Sequence, residues 1–517
     1  MNNTEHMLTS LPKAQASHPS PTTLSYENSG ALEKELPNFV SKHLENLKPK
    51  SLLFAKILAA AKDHFKTHAY KNIWVGIDRS ALVHNVKALR ALEPEKKFCA
   101  VLKADAYGHG VDIVAPTLEH FVDSFGITEN LEAQTILEHT SLSKPIMRVR
   151  LADPFEIGEA MANNLTIEEL VGNLDQAQRI SELSQSLNQP KHPIHLALNC
   201  ANMGRDGFNT DEDSWPELVK QVQAIKQLPG VKVVGICGHL PVSDDPDYGV
   251  SKKSAEKFIA TAITLKEMID QEVDIHLFAS AGTQRAHELP EHLLQHITLN
   301  RAGGALFGHK SYATETHSNL QHVMSVCTFV TGLFHRPDGA SVGYGSHYRV
   351  QNEEGELHAH VPGGWAILPR EALLANKENQ GQSPLVITNE TGGQHQILGN
   401  PSMNSVICKA EARGGTHLLR EMEPVFIVTG SQEQGEPTSA FSKPSADTQA
   451  TRSTTTTTAS PTALSQITPS DSSALYEETK ADSPQDTNTI ADLLGSTGAR
   501  VTVHIGTAKN VAKMGFN

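Results

Sequence analysis

A (β/α)8 barrel followed by a mostly β C-terminal domain is the α/β architecture this sequence predicts, and three observations predict it. Between residues 98 and 301, eight short apolar, β-rich runs alternate with helical stretches. After about residue 320 the helices thin out, and strands with Gly-rich connections take over. Outside both regions lie polar segments without an apolar period. A doubly wound open sheet shares the strand–helix alternation, and strand count alone does not separate the two.

The elements follow in order. Residues 1–30 are rich in Ser, Thr, Pro and Asn and read as a disordered tail. Residues 31–71 form a helical extension, with Leu32, Leu36, Phe39, Val40, Leu44, Leu47, Leu52, Leu58 and Phe65 at helical spacing. Residues 72–320 make the barrel. Its strands are expected at Phe98–Lys103, Ser124–Thr128, Ile146–Leu151, Glu168–Gly172, Ile194–Asn199, Val231–His239, Asp274–Ala279 and Ile297–Arg301, with Ile73–Asp78 as an extra strand before them. Helices over Ser80–Leu92 and Lys253–Ile269 exemplify the connections.

The β domain spans 321–430, with strands expected at Val323–Leu333, Ala340–Val350, Glu356–Leu368, Pro384–Thr388, Met403–Cys408 and Pro424–Val428. Residues 431–490 contain 24 Ser or Thr, too polar to bury a core, and read as a low-complexity insertion. Residues 491–517 carry a return strand, placed at Arg500–Ile505 by the run RVTVHI.

Composition narrows the function. The 517 residues correspond to about three domains at roughly 100–200 residues each. A net charge of −14 argues against nucleic acid or an anionic membrane as partner. Cys99, Cys200, Cys237, Cys327 and Cys408 are odd in number, far apart and without a CxxC, so neither a disulfide framework nor a thiolate metal site is expected, and no metal is assigned. No run is long enough to span a bilayer. Ser51–Ala61 (SLLFAKILAAA) is interrupted by Lys56 and reads as an amphipathic helix rather than an export signal, which favours the cytoplasm slightly over the periplasm.

The sharpest local signal is Ala100–Gly110, AVLKADAYGHG. Lys103 stands at the end of an apolar strand, where barrel enzymes place their chemistry. A lysine in that position tends towards a lowered pKa, which Schiff-base formation requires. Tyr107 can donate to a phosphate. A lysine snorkelling to the rim ahead of a Gly-rich turn fits the same pattern equally well.

AVLKADAYGHG resembles the pyridoxal-phosphate attachment motif of the alanine racemase family. IMRVRLA (146–152), IEELVGNLDQAQ (167–178), HLALNCANMGRDGF (195–208) and RAGGALFG (301–308) are similar to its broad-specificity amino-acid racemase branch. The resemblance implies a barrel, a β domain that the chain's first strand joins, and pyridoxal 5'-phosphate as cofactor. It also implies a homodimer that interconverts L- and D-amino acids, alanine first and basic amino acids as a further expectation.

Residue by residue, it implies Lys103 as the Schiff-base lysine and one catalytic base, and Tyr107 at the phosphate. His239 would lie against the pyridine ring. Arg205 would reach the phenolic oxygen and the substrate carboxylate. Arg301 would face the pyridine nitrogen and keep it unprotonated. Gly303 and Gly304 would offer amides to the phosphate. Arg148 and Arg150 would sit near the active-site mouth or a chloride. Strict alanine racemases carry a lysine in the segment matching His195–Met203; this chain has none there, which agrees with the broad-specificity branch.

The likeness fails at the second base. The family's tyrosine, supplied across a dimer interface, falls at Trp365 in Gly363–Arg370 (GGWAILPR). An indole N–H donates but has no usable basicity. Tyr344, His347 and Tyr348 are the candidate substitutes. The Asn-Ser pair expected near the phosphate appears as Ser280-Ala281, leaving Ser280 or Thr283 to act, and no counterpart of the C-terminal phosphate tyrosine is evident. Met403, in PSMNS, matches the branch's substrate-carboxylate segment. Three readings follow: a racemase with a substitute base, a chain in which Lys103 alone exchanges the α-proton in slow or one-sided chemistry, or a pyridoxal-phosphate-binding protein that has lost its second base.

Overall fold

The structure, a computed structural model, describes residues 40, 42–200, 204–312, 319–375, 380–429, 498–506, 508 and 511–517. The expected tail at 1–30 and the Ser/Thr-rich insertion at 431–490 lie outside these residues, as do 201–203 of the motif before Arg205. The described residues divide into a small unit, with residues 40, 42–47 and 62–70, and a large one, from 48–61 and 71 onwards. In the small unit His64 stacks on His68, ring centroids 4.2 Å apart, and Phe65 meets Tyr70 at 5.3 Å.

The large unit takes up residues 52–61 of helix α1 (Leu52–His64). The Glu390 carboxylate accepts the backbone N–H groups of Lys50 at 2.7 Å and Ser51 at 3.1 Å, satisfying donors that the helix start leaves open. Phe54 stacks on Trp74 with centroids 6.5 Å apart.

After β1 (Ile73–Asp78) and α2 (Arg79–Arg90), strands and helices alternate. They are β2 (Lys97–Val101), α3 (Val111–Leu118), β3 (Ser124–Ile127), α4 (Asn130–His139), β4 (Ile146–Arg148), α5 (Pro154–Ala162), β5 (Ile167–Val171) and α6 (Leu174–Ser186). Then come β6 (His192–Asn199), α7 (Trp215–Gln227), β7 (Val231–Cys237), α8 (Gly249–Ile269), β8 (Asp274–His276) and β9 (Leu299–Ala302).

The eight strands β2 to β9 are parallel and neighbour one another in chain order, with β9 beside β2. Thr298 N–H donates to Ile275 O at 2.9 Å and Arg301 N–H to Phe278 O at 3.2 Å, joining the two ends into a barrel rather than an open sheet. Burial on both faces explains the unbroken apolar runs: every residue of β3 and β9 is buried. The helices cover the ring with one apolar stripe each, as in α6, where Ala177, Ile180, Ser181 and Ser184 are buried. Side-chain caps start them: Asp78 before α2, Asp153 before α5 and Asn173 before α6.

The second sheet has nine strands. The β domain supplies β10 (Met324–Phe329), β11 (Gly332–Arg336), β12 (Glu356–Pro362), β13 (Gln382–Asn389), β14 (Gln394–Leu398), β15 (Ser405–Lys409) and β16 (Pro424–Val428). Helix α9 (Gly498–Gly506) and strand β17 (Val511–Phe516) close the chain. The order is β11-β12-β15-β14-β13-β16-β10-β1-β17. Thus β1 leaves the barrel to pair antiparallel with β10 and parallel with β17.

Four expectations are corrected. Val323–Leu333 is two strands, because residues 332–336 change partner from β16 and β1 to β12. Ala340–Val350 is a small hairpin, Ser341–Val342 against Tyr348–Arg349, interrupted by Gly343, Gly345 and Ser346 at positive φ. The strand from Glu356 stops at Pro362, since Gly363 and Gly364 turn the chain. Arg500–Ile505 is helical: Val501 and Ile505, one turn apart, are both buried, and the return strand comes later, at Val511–Phe516. The strand Gln394–Leu398 has no counterpart in the sequence reading.

Candidate active site

Lys103 stands two residues beyond β2, on the face where all eight parallel strands end. The next four residues form one left-handed turn: Ala104, Asp105, Ala106 and Tyr107 have φ of 53°, 54°, 54° and 55°. Left-handed backbone costs roughly 1–2 kcal/mol per non-glycine residue, so other contacts must hold it. Asp105 N–H donates to Glu132 at 3.2 Å, and the Asp105 carboxylate accepts Val111 N–H at 2.9 Å. The other Glu132 oxygen accepts Thr128 N–H at 2.7 Å and Glu129 N–H at 3.0 Å, so one buried carboxylate ties the turn to the start of α4.

The turn brings Lys103 Nζ to 5.9 Å from the centre of the Tyr107 ring. Burial, helped by Arg205 and opposed by Glu132, pulls the Lys103 amine below its ordinary pKa. Tyr107 is pushed the other way by burial and stays a neutral donor. Its hydroxyl faces Gly303 so closely that a Cβ there would lie 2.1 Å from it. The amides of Gly303 and Ala305 both donate to Ser280 Oγ, at 3.1 and 3.2 Å, with Gly304 between them.

His239 lies two residues beyond β7. Burial first, then the cations of Arg205, Arg301 and Lys103, bring its pKa down to about 3. It is a neutral imidazole among three cations. Arg205 itself is exposed.

Arg301 is 8% exposed, on β9. Its guanidinium donates to His276 O at 3.0 Å, Gly238 O at 2.8 Å and the Nδ1 of His276. His276 Nε2 then lies 2.9 Å from His195 Nδ1, and His195 Nε2 lies 2.9 Å from a Glu168 oxygen. An arginine can only donate, so His276 Nδ1 accepts. Its proton therefore sits on Nε2 and points to His195 Nδ1, and the His195 proton points to Glu168. The chain runs one way, from Arg301 to Glu168. Burial, followed by Arg301, drives His276 well below its ordinary range. The sequence reading missed Glu168, His195 and His276, although their segments were quoted; a polar residue in a parallel barrel strand was the available signal.

The remaining expected residues fall elsewhere. Arg148 is fully buried: Nε donates to Glu169 at 2.9 Å, one terminal nitrogen to Glu156 at 2.6 Å, the other to Asn130 at 2.7 Å. That guanidinium is committed to the barrel wall, not to a chloride. Arg150 pairs with Glu156 at 2.7 Å. In the β domain, Trp365 packs on the core and its backbone N–H donates to Ser402 O at 3.3 Å. Met403 is half exposed, with its carbonyl accepting Ala366 N–H. The Tyr348 hydroxyl is bonded to Glu356 at 2.7 Å, whereas Tyr344 is 70% exposed on its turn, with His347 three residues on.

The alanine racemase N-terminal domain profile matches residues 77–311. A lysine racemase from Proteus mirabilis is 32% identical over 338 residues, 65% of this chain and 76% of that protein. A broad-specificity amino-acid racemase from Pseudomonas taetrolens is 30% identical over the same shares. Among solved structures, alanine racemase from Streptomyces lavendulae superposes with a TM-score of 0.65 at 20% identity, covering 87% of this chain and 98% of that one. Alanine racemase from Clostridium difficile does so at 0.64 and 20%, covering 85% and 94%. Fold, site and kinship define an amino-acid racemase, an isomerase. The chain belongs to the alanine racemase family.

Proposed function

We propose that the chain is a pyridoxal 5'-phosphate-dependent racemase acting on alanine and basic amino acids, as a homodimer. The observation that supports this reading is the surroundings of Lys103: its amine lies 5.9 Å from the Tyr107 ring centre, the Tyr107 hydroxyl packs on Gly303, whose amide donates to Ser280, and burial with Arg205 lowers the Lys103 pKa. The residues fit the cofactor. The Tyr107 hydroxyl packs on Gly303, where any side chain would push it aside, and Thr283 Oγ1 is buried with no hydrogen-bond partner among the described residues. Tyr107, Ser280, Gly303 and Gly304 would hold its phosphate, His239 its ring and Arg301 its ring nitrogen. Bound there, the cofactor supplies an electron sink for the substrate α-carbon.

The chain's own residues do the rest. Arg205, with Met403 from the β domain, would bind and orient the substrate carboxylate. The Lys103 amine, poised nearer neutrality than a free lysine, takes the α-proton on one face. The Arg301 guanidinium can hydrogen-bond the ring nitrogen but, being strongly basic, keeps its protons and leaves that nitrogen unprotonated.

A second reading rests on Trp365. With an indole at the expected base, the chain binds the cofactor without racemising. Cofactor-loaded protein, with Lys103→Ala as control, is incubated in deuterated water with L-alanine, L-lysine or L-arginine. Lys103-dependent D-isomer supports the racemase. Cofactor binding with neither α-proton loss nor D-isomer supports the second reading.

A further inference from the structure

The left-handed turn that follows Lys103 is held from one side by Glu132 and from the other by the last residues of the chain. The Lys513 ammonium, on β17, donates to the Asp105 carboxylate, 408 residues away in sequence. The same carboxylate holds Val111 N–H at 2.9 Å. Lys513 does not reach in on a free arm. Its strand is paired in parallel with β1, Lys513 opposite Val75. One residue past the turn, Gly108 sits against α9: a Cβ on Gly108 would lie 2.2 Å from Thr502 O, and one on Gly506 would lie 1.9 Å from Gly108 O. Thr502 Oγ1 also lies 3.3 Å from His309 Nε2.

Four consecutive residues at positive φ persist only where their surroundings over-determine them. Here the surroundings are Glu132 and, from the C-terminal segment, Thr502 and Gly506 of α9 and Lys513 of β17. We propose that this C-terminal segment is a positioning element for Lys103, and that Lys513 acts through Asp105 to hold the turn in the conformation that presents the amine. The inference rests on Lys103 being the cofactor lysine.

Lys513 and Asp105 are partly exposed, so the pair contributes little to global stability. Its effect is local, and that separates positioning from a general structural role. Lys513→Met removes the charge and keeps the stem. K513E puts a like charge against Asp105. K513R keeps the pair.

The measurement is the dissociation constant for pyridoxal 5'-phosphate, followed by absorbance, alongside hydrogen exchange at the amides of 104–111 in cofactor-free protein. K513M is expected to weaken cofactor binding about threefold and K513E about tenfold, with K513R close to wild type. Asp105→Asn combined with K513M is expected to be no weaker than the worse single change, because both remove one interaction. Exchange at 104–111 quickens in K513M and K513E while the barrel strands and the thermal midpoint stay unchanged.

Wild-type affinity and wild-type exchange in both variants would overturn the proposal. If wild-type protein takes up no cofactor, the racemase reading fails, and exchange alone then decides the clamp. If K513E does not fold, K513M carries both readouts.

Discussion

His195 Nδ1 and His276 Nε2 lie 2.9 Å apart inside the barrel, and the donor at one end of their chain decides which nitrogen carries each proton. Arg301 donates to His276, so the protons point away from the candidate site and end on Glu168, which is partly exposed. His276 cannot take a second proton without losing a hydrogen bond in a buried site. Arg301 is therefore fixed as a donor without a titrating neighbour.

Gly235 makes that arrangement possible. A Cβ on it would lie 2.0 Å from His195 Nδ1, so Gly235→Ala must displace the ring. The variant is expected to lose about 1–3 kcal/mol of stability and to lower kcat/KM by about tenfold or more. Urea unfolding and steady-state kinetics check it. Wild-type kinetics in a folded variant would mean that the histidine chain does not matter to the site.

Buried neutral histidines make the fold sensitive to acid. His239 and His109 are brought down to about 3, His192 and His395 to about 4, burial being the largest cause in each. Between pH 6.5 and those values the unfolded chain binds protons that the native chain refuses. Stability is therefore full above pH 6.5 and falls as pH drops, by up to about 1.4 kcal/mol per pH unit per group. Urea midpoints at pH 7, 6 and 5 should decline, and His192→Gln should flatten the decline. A level profile would contradict the burial of these rings.

Arg148 and Glu169 are both fully buried and face each other directly. Arg148→Met leaves the carboxylate without its partner in a site that already disfavours its charge, and is expected to cost about 3–5 kcal/mol. Replacing both residues by apolar ones should restore much of the loss. Denaturant titration of the single and double variants measures this; a single variant as stable as wild type would rule it out.

Trp365→Tyr restores a phenol where the family places its second base. If Trp365 is what limits turnover, the variant forms D-isomer at least about tenfold faster, with cofactor affinity unchanged. An unchanged rate would mean that Trp365 is not what limits turnover.

Borohydride reduction of cofactor-loaded protein should fix the pyridoxyl group on Lys103 alone, because that amine combines burial at a strand end with a lowered pKa. Peptide mass spectrometry reads the site. Label spread over surface lysines would indicate nonspecific adducts.

How much of this was legible follows from what each feature depends on. The eight barrel strands could be read because a parallel strand buried on both faces is a short apolar run, and helices with one buried stripe keep their period. Lys103 and Tyr107 stand in a local motif that can be read from its residues, whereas His239, Arg205 and Arg301 were nameable only through the resemblance to the alanine racemase family. The β domain was read less well: Gly343, Gly345, Gly363 and Gly364 break runs that look like continuous strands. The helix at 498–506 was mistaken for a strand because a short apolar run fits either period, and packing against the turn at Gly108 chose between them.

The amino-acid sequence by itself determined the alternation of strands and helices and the lysine at the end of β2, since alternation, burial pattern and motif spacing are all properties of neighbours along the chain; the closing of those strands into a ring rather than an open sheet was decided by the tertiary structure. Only the tertiary structure decided that Arg148 belongs to the barrel wall, that His195 and His276 are linked to Arg301, and that Lys513 holds Asp105. The Arg148–Glu169, His276–Arg301, His195–His276 and Asp105–Lys513 pairs span 21, 25, 81 and 408 residues. Contacts at such separations are made by strands closing into a ring and a terminus returning to a sheet, and no local pattern encodes which side chains then meet.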